Sequence, residues 1–203
     1  MKLFVVGATG RTGRQVTEQA LARGHSVTAI VRNAGSFDPQ DGLKIVAGDP
    51  LDVDQLASAL VGHDVVVSCL GQRSAADASL LQDAAAAMTR AMTSMDVSRY
   101  LVVSQGLLFP SSSPIVALLR LVLARYVADT TAMEQLVRAS EVEWMIVRPP
   151  RLLEGGASRG YRIKVGGLPV GRRAMHRADL AAFLLDEAER REHPREIVGV
   201  TSG

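Results

Sequence analysis

The sequence has one cysteine, Cys69, in 203 residues. A single thiol cannot close an internal disulfide, and it excludes a zinc site built from cysteines. The compartment that fits this best is the reducing cytoplasm. A charge bias is also missing: 23 Lys and Arg stand against 21 Asp and Glu, a net charge of +2. So small an excess gives no nucleic-acid footprint, although the pI is near 9.0. Long apolar runs are absent too. MKLFVVGATG places only Leu3–Val6 before a glycine, short of the roughly 7–15 residues of a secretory core. The longest charge-free stretch, between Arg99 and Arg120, is interrupted by Gln105, Gly106, Pro110, Pro114 and a run of serines. It cannot supply the unbroken apolar helix of about 20 residues that crosses a membrane. No His, Asp and Glu group has metal-ligand spacing, so no metal is expected. His25 and His63 read as turn residues ahead of strands, and His193 as a loop residue before Pro194.

What is present is an ordinary globular composition, 47% hydrophobic and 22% charged. The length suits one domain over 1–203. Short runs rich in Val and Ile, apolar nearly throughout, recur at Lys2–Val6, Ser26–Val31, Leu43–Ala47, Asp64–Cys69, Tyr100–Ser104, Glu143–Val147 and Ile197–Val200. That is the pattern of strands buried on both faces of a parallel sheet. Helical patterns lie between them at Arg11–Arg23, Asp52–Val61, Ser79–Met95, Pro114–Ala139 and Arg177–Arg191. Gly24 stands where a helix C′ residue belongs, and Ser113 followed by Pro114 reads as an N-cap and first helical residue. Alternating strands and helices predict an α/β fold: a single doubly wound Rossmann domain whose mainly parallel sheet has about six to seven strands flanked by helices. Leu153–Met175, rich in glycine, reads as irregular structure near the C-terminal edge of the sheet.

The first strand runs directly into Gly7-Ala8-Thr9-Gly10-Arg11-Thr12-Gly13, and a helical pattern follows with Val16, Ala20 and Leu21 on one stripe. The G-x-x-G-x-x-G spacing gains its meaning from this place between strand and helix. Glycine lets the chain turn tightly, lets its backbone approach a pyrophosphate and lets the helix pack close to the strand. N–H groups at the helix start then face the anion. In such folds a carboxylate about 20 residues beyond the loop binds the ribose 2′-hydroxyl. Here the second strand ends in Arg32, and no acidic residue follows until Asp38. A cation at that point suits a 2′-phosphate, which Arg11 could also reach, so NADP(H) is expected in preference to NAD(H).

GATGRTG, the strand ending VR, Gly48–Asp52 (GDPLD), Val66–Gly71 (VVSCLG), Val147–Leu152 (VRPPRL) and His176–Leu185 (HRADLAAFLL) resemble an atypical short-chain dehydrogenase/reductase. More narrowly, the chain resembles the NAD(P)H-binding group that contains biliverdin-IXβ reductase/flavin reductase and NmrA-like proteins. That resemblance covers nearly the whole chain. It implies that Gly7, Thr9, Gly10, Arg11, Thr12 and Gly13 surround the cofactor phosphates and that Arg32 takes the 2′-phosphate. It implies that Asp49 and Pro50 lie beside the adenine, that Cys69, Leu70 and Gly71 carry the cofactor past the fourth strand, and that Pro149, Pro150 and Arg151 line the nicotinamide pocket. It also makes Ser104 the active-site serine.

Many enzymes of that superfamily pair a tyrosine with a lysine four residues on, and the lysine lowers the phenol's pKa. Tyr126 and Glu134 fall at the family's spacing, but Thr130 holds the lysine position. A neutral hydroxyl cannot depress a phenol through charge, which speaks against ordinary alcohol–ketone chemistry. Hydride transfer to a flavin, quinone or linear tetrapyrrole asks mainly for position and a dry surface. Ser104, Tyr126 and His176 are the candidate catalytic side chains. The expected function is an NADPH-dependent oxidoreductase acting on such a small-molecule acceptor, in a pocket formed by roughly 104–115 and 149–176. The alternative is a non-catalytic NADP-binding redox sensor of NmrA-like type. No nucleic-acid or membrane partner is expected. Ile115–Leu123 carries too many apolar residues for one helical stripe. It implies a homodimer through the 114–127 helix, an acceptor wall, or cover from Leu153–Met175.

Overall fold

Every residue of Lys2–Val6 (β1) after Lys2 is buried, because alternate side chains enter cores on opposite sides. Leu3 and Val5 join one core, Phe4 and Val6 the other. The same two-sided burial marks Ser26–Val31 (β2) and Val65–Ser68 (β4). A strand read as a continuous apolar run belongs inside a parallel sheet. The structure, a computed structural model, describes residues 1–72, 78–155, 160–171 and 174–203.

The remaining strands are Leu43–Ala47 (β3), Arg99–Val103 (β5), Glu143–Arg148 (β6), Arg151–Leu153 (β7), Tyr161–Val165 (β8), Ala174–His176 (β9) and Ile197–Ser202 (β10). The helices are Arg11–Ala22 (α1), Val53–Leu60 (α2), Leu80–Ser94 (α3), Pro114–Val122 (α4), Ala124–Ala139 (α5) and Arg177–Arg190 (α6). The main sheet has eight strands in the order β3-β2-β1-β4-β5-β6-β10-β8. All neighbours are parallel except β8, which runs antiparallel to β10. Side chains of α1 and α6 fill the core on one face, and those of α2, α3 and α5 fill the other. This is the doubly wound α/β fold that the alternating pattern predicts.

Two expectations need correction. The sheet has eight strands rather than six to seven, because Leu153–Met175 is not wholly irregular. It contributes β8 to the main sheet, and its ends enter a small parallel pair, β7 with β9. Residues 156–159 and 172–173 of that segment lie outside the described residues. The stretch Pro114–Ala139 is two helices. The chain leaves helical dihedrals at Leu123 (φ −99°, ψ 23°), although Leu123 N still bonds Leu119 O and Val127 N bonds Leu123 O. Arg120 fixes α4 on one side of this bend, donating to the carbonyls of Leu107 (2.8 Å) and Phe109 (2.6 Å).

Caps also come from unexpected places. Asp52 caps α2 by accepting from Asp54 N and Gln55 N, as a helix-starting aspartate should. Ser113 makes no side-chain cap bond at α4, nor does Ser79 at α3. The N–H groups of Leu81 and Gln82 instead donate to the buried Asp129 of α5, which also receives Gln72. One carboxylate thus ties two helices to the chain after β4.

Candidate cofactor and acceptor site

The strand order reverses between β1 and β4: β2 and β3 lie on one side, β5 and β6 on the other. Ligands of open α/β sheets bind at the carboxyl ends of the strands at such a switch point. The two chain segments that flank it are Gly7–Gly13 and Cys69–Gly71, and they touch. Gly7 has φ +76°, and a Cβ there would lie 2.8 Å from the Cys69 carbonyl carbon and oxygen. A Cβ on Gly13 would lie 2.7 Å from Ala8 Cα and closer still to Gly7 O. These two glycines serve the packing of loop, strand and helix. Gly10 differs. It is the extended N-cap of α1 (φ −73°, ψ 162°), its N–H donates to Gly7 O (2.9 Å), and a Cβ would meet only Gly7 O at 3.1 Å.

No side chain among the described residues caps α1, and no acidic residue stands in its first turn. The N-terminal N–H groups of a helix need acceptors. A start left uncapped beside the switch point fits a pyrophosphate. The glycine loop's one cation is engaged: Arg11 donates to Glu154 (2.8 Å), which also pairs with Arg177 (2.9 Å). This bridge joins the glycine loop, the end of β7 and the start of α6. Arg32, just beyond β2, is exposed and makes no ion pair among the described residues. Asp49 Oδ1 accepts from Leu51 N (3.0 Å), so the carboxylate shapes the turn that carries Pro50 at the end of β3. The Cys69 thiol packs on the core, and burial pushes it up to about 12. A thiol kept protonated by burial is a poor nucleophile.

On the other side of the switch point, Ser104 and Gly106 extend the β5–β6 pairing. Ser104 N donates to Val147 O and Gly106 N to Pro149 O, both 2.7 Å. This brings the turn after Ser104 against Pro149 and Pro150. The Ser104 hydroxyl donates to Glu134 Oε1 (2.5 Å), and Arg148 holds the same buried carboxylate through Nε (2.9 Å) and Nη2 (2.5 Å). The Arg148 guanidinium stacks 4.8 Å above the Phe109 ring. The sequence reading missed this chain, having seen Glu134 only as a spacing match and Arg148 only inside VRPPRL. A signal was available: an acid and a base, each beside long apolar stretches, are rarely buried unless paired.

Tyr126 and His176 are placed differently. Tyr126 packs against the α3–α5 core, and burial raises its phenol. Thr130 is fully buried, and its hydroxyl is spent on Tyr126 O (2.7 Å). Nothing there replaces the missing lysine among the described residues. His176 closes β9 opposite Leu153 and precedes α6, and its N–H donates to Ser202 Oγ (2.9 Å). Its Nδ1 is buried without a partner among the described residues, as is Nε2 of Gln105, the residue after Ser104. Buried polar atoms without partners mark places where a ligand can supply them. The group Glu187, Glu192 and His193 lies at the far end of α6, where His193 Nδ1 already bonds Glu187 Oε1 (2.6 Å).

Known proteins share this fold. Two solved structures share the whole fold. A protein of Streptococcus pneumoniae, provisionally named an NADH-flavin reductase, superposes with a TM-score of 0.84 at 23% identity, covering all of both chains. A short-chain dehydrogenase/reductase of Veillonella parvula, solved in complex with NADP, gives 0.82 at 19% identity over 99% of this chain and 94% of that one. An isoflavone reductase homolog of Zea mays is 41% identical over 93 residues, 41% of this chain and 30% of the plant protein. The chain therefore spans less than a third of that relative. Residues 7–191 match a family described as NAD(P)H-binding, and the chain belongs to that NAD(P)H-binding family.

Proposed function

We propose that the protein is an NADPH-dependent oxidoreductase that reduces a small flavin-like acceptor in a reducing compartment, the cytoplasm. In this reading Gly7, Thr9, Gly10, Thr12 and Gly13 hold the pyrophosphate, and Arg32 holds the 2′-phosphate. Asp49 and Pro50 border the adenine, Cys69, Leu70 and Gly71 wall the crevice, and Pro149–Arg151 line the nicotinamide end. When bound, the reduced nicotinamide supplies the hydride. The chain's own residues orient the acceptor within roughly 104–115 and 149–176 and exclude water from it. The accompanying proton comes from solvent. The NADP complex of the Veillonella protein and the name of the Streptococcus protein support the cofactor and the acceptor class.

The observation that carries the acceptor class is the Ser104–Glu134 bond. With its hydrogen given to Glu134, Ser104 Oγ offers only lone pairs. It can then receive an N–H from an acceptor but cannot donate to a carbonyl. Flavins and linear tetrapyrroles carry ring N–H groups, and simple quinones do not. Mixing the protein with NADPH and a panel of acceptors should oxidise NADPH faster with riboflavin or FMN than with benzoquinones of similar potential. Ser104→Ala should slow the flavin reaction about 10-fold, one hydrogen bond's worth, and leave the quinone background alone. Binding of NADPH with no turnover on any acceptor would instead establish the redox-sensor reading, which the fully engaged Thr130 favours.

Cofactor preference has its own test. A charge-assisted bond to the 2′-phosphate is worth roughly 1.5–3 kcal/mol. Arg32→Ala should therefore weaken NADPH binding about 10- to 100-fold and leave NADH nearly unchanged, as read by calorimetric titration. Equal losses for both cofactors would remove Arg32 from the site.

A further inference from the structure

Helix α4 turns its apolar side chains away from the protein. Ile115, Leu118, Leu119, Leu121, Val122 and Leu123 are 38–73% exposed, and no residue of α4 is buried. Together they expose apolar surface on the order of 600 Å², the upper end of what a single patch on a monomer reaches. We propose that this face is the contact of a homodimer, in which a second copy lays the same helix against it across a two-fold axis.

Three observations select a second copy as the occupant. The first is area. A standard interface covers about 800 Å² per partner, of which about 65% is apolar in homodimers, so the patch has the size of such a core. The second is charge. In a two-fold contact the same surface meets itself, so any net charge on it would face its own kind. α4 carries one charged residue, Arg120, and its guanidinium is occupied by the carbonyls of Leu107 and Phe109. That charge is held against main-chain carbonyls, and the other side chains of α4 are apolar. The third is what the helix lacks. A helix lying on a membrane presents a fringe of Lys and Arg to the headgroups. α4 has no lysine, and in the described stretch 114–127 Arg125, beyond the bend, is the one exposed cation, a number suited to the polar rim of a protein contact.

The contact would stand next to the cofactor crevice without using it. Arg120 ties α4 to the turn at Gly106–Leu108, and the following Phe109 packs under Arg148. NADPH binding therefore serves as a control for correct folding, because none of the α4 residues named above belongs to the cofactor crevice.

The experiment is sedimentation equilibrium of the full chain beside a Leu118→Asp/Leu121→Asp variant. Both positions are exposed, so the substitutions remove no core contact. The parent should sediment at twice the chain mass, with a dissociation constant of about 1–10 µM or tighter. The variant should be a monomer that binds NADPH as the parent does, with dimerisation weakened at least about 100-fold. Val122→Lys provides an independent single variant, with the same expectation, should the double variant precipitate. A parent that stays monomeric up to about 100 µM overturns the proposal. So does a soluble variant that keeps the parent's mass, or a monomeric parent that pellets with phosphatidylcholine–phosphatidylserine vesicles.

Discussion

Gly13→Val should leave no folded protein, whereas Gly10→Val should fold and lose its cofactor. The two glycines are three residues apart in one motif, yet they meet different surroundings. A side chain at Gly13 runs into the backbone of Gly7 and Ala8. Backbone cannot step aside as the tip of a side chain can, so the cost should exceed about 4 kcal/mol, which a domain of ordinary stability barely survives. Gly10 already has dihedrals open to any residue, and a Cβ there needs only Gly7 O to give by a few tenths of an ångström. What valine would block is the approach of a phosphate to the start of α1. NADPH binding should fall by at least about 100-fold, a loss of about 2.7 kcal/mol. Circular dichroism melts and a cofactor titration separate the two outcomes. A Gly10→Val protein that binds NADPH normally would move the pyrophosphate off this loop.

Removing the Glu134 carboxylate should be the most damaging change away from the glycine loop. Glu134→Ala leaves the Arg148 guanidinium without its counter-charge in a site where both side chains are nearly buried. Stripping one partner from a buried pair costs about 3–5 kcal/mol, because the other charge stays behind. Removing both is different. Glu134→Leu with Arg148→Met should recover most of the stability, since apolar groups of similar size replace a pair whose attraction mainly offsets its own desolvation. The midpoint of urea unfolding for the two single variants and the double variant reads this directly. If Glu134→Ala loses under about 1 kcal/mol, the pair is not buried in the way described. The double variant should also release the Ser104 hydroxyl to donate. Its relative rate with quinones over flavins should then rise.

The parallel half of the fold was readable because its signals are local. Seven short apolar runs, all but the half-exposed edge strand β3 largely buried, gave seven strands of the sheet within a residue or two at either end. The glycine loop was equally plain, since one strand, one turn and one helix start contain it. What escaped reading depends on contacts far apart in the chain. β8, with the pattern Tyr161-Arg162-Ile163-Lys164-Val165, is mostly exposed on both faces and has too little apolar content to announce a strand. Its pairing with β10, some 40 residues on, makes it one. The bend at Leu123 was hidden because apolar periodicity runs straight through it, while the anchoring bonds lie between Arg120 and a turn more than ten residues earlier. Glu134 and Arg148 were each visible, but their meeting at Ser104 requires α5 to lie across the end of β6. The cap that Asp129 gives α3 spans 47 to 48 positions and leaves no trace in the local sequence.

The antiparallel strand β8 has a consequence for how the chain keeps from polymerising. It is the last strand of the sheet on its side, so its outer row of N–H and C=O groups is the row open to another chain. An open edge recruits strands unless it is short or charged. β8 is five residues long, places the cations Arg162 and Lys164 among Ile163 and Val165, and is followed by Gly166, whose positive φ of +69° turns the backbone away. A strand arriving from a second molecule would set its own Arg162 and Lys164 against these, at the separations where like charges repel across a ladder. Growth of the sheet into a fibre is thus opposed at the edge where the chain's own hydrogen bonding runs out.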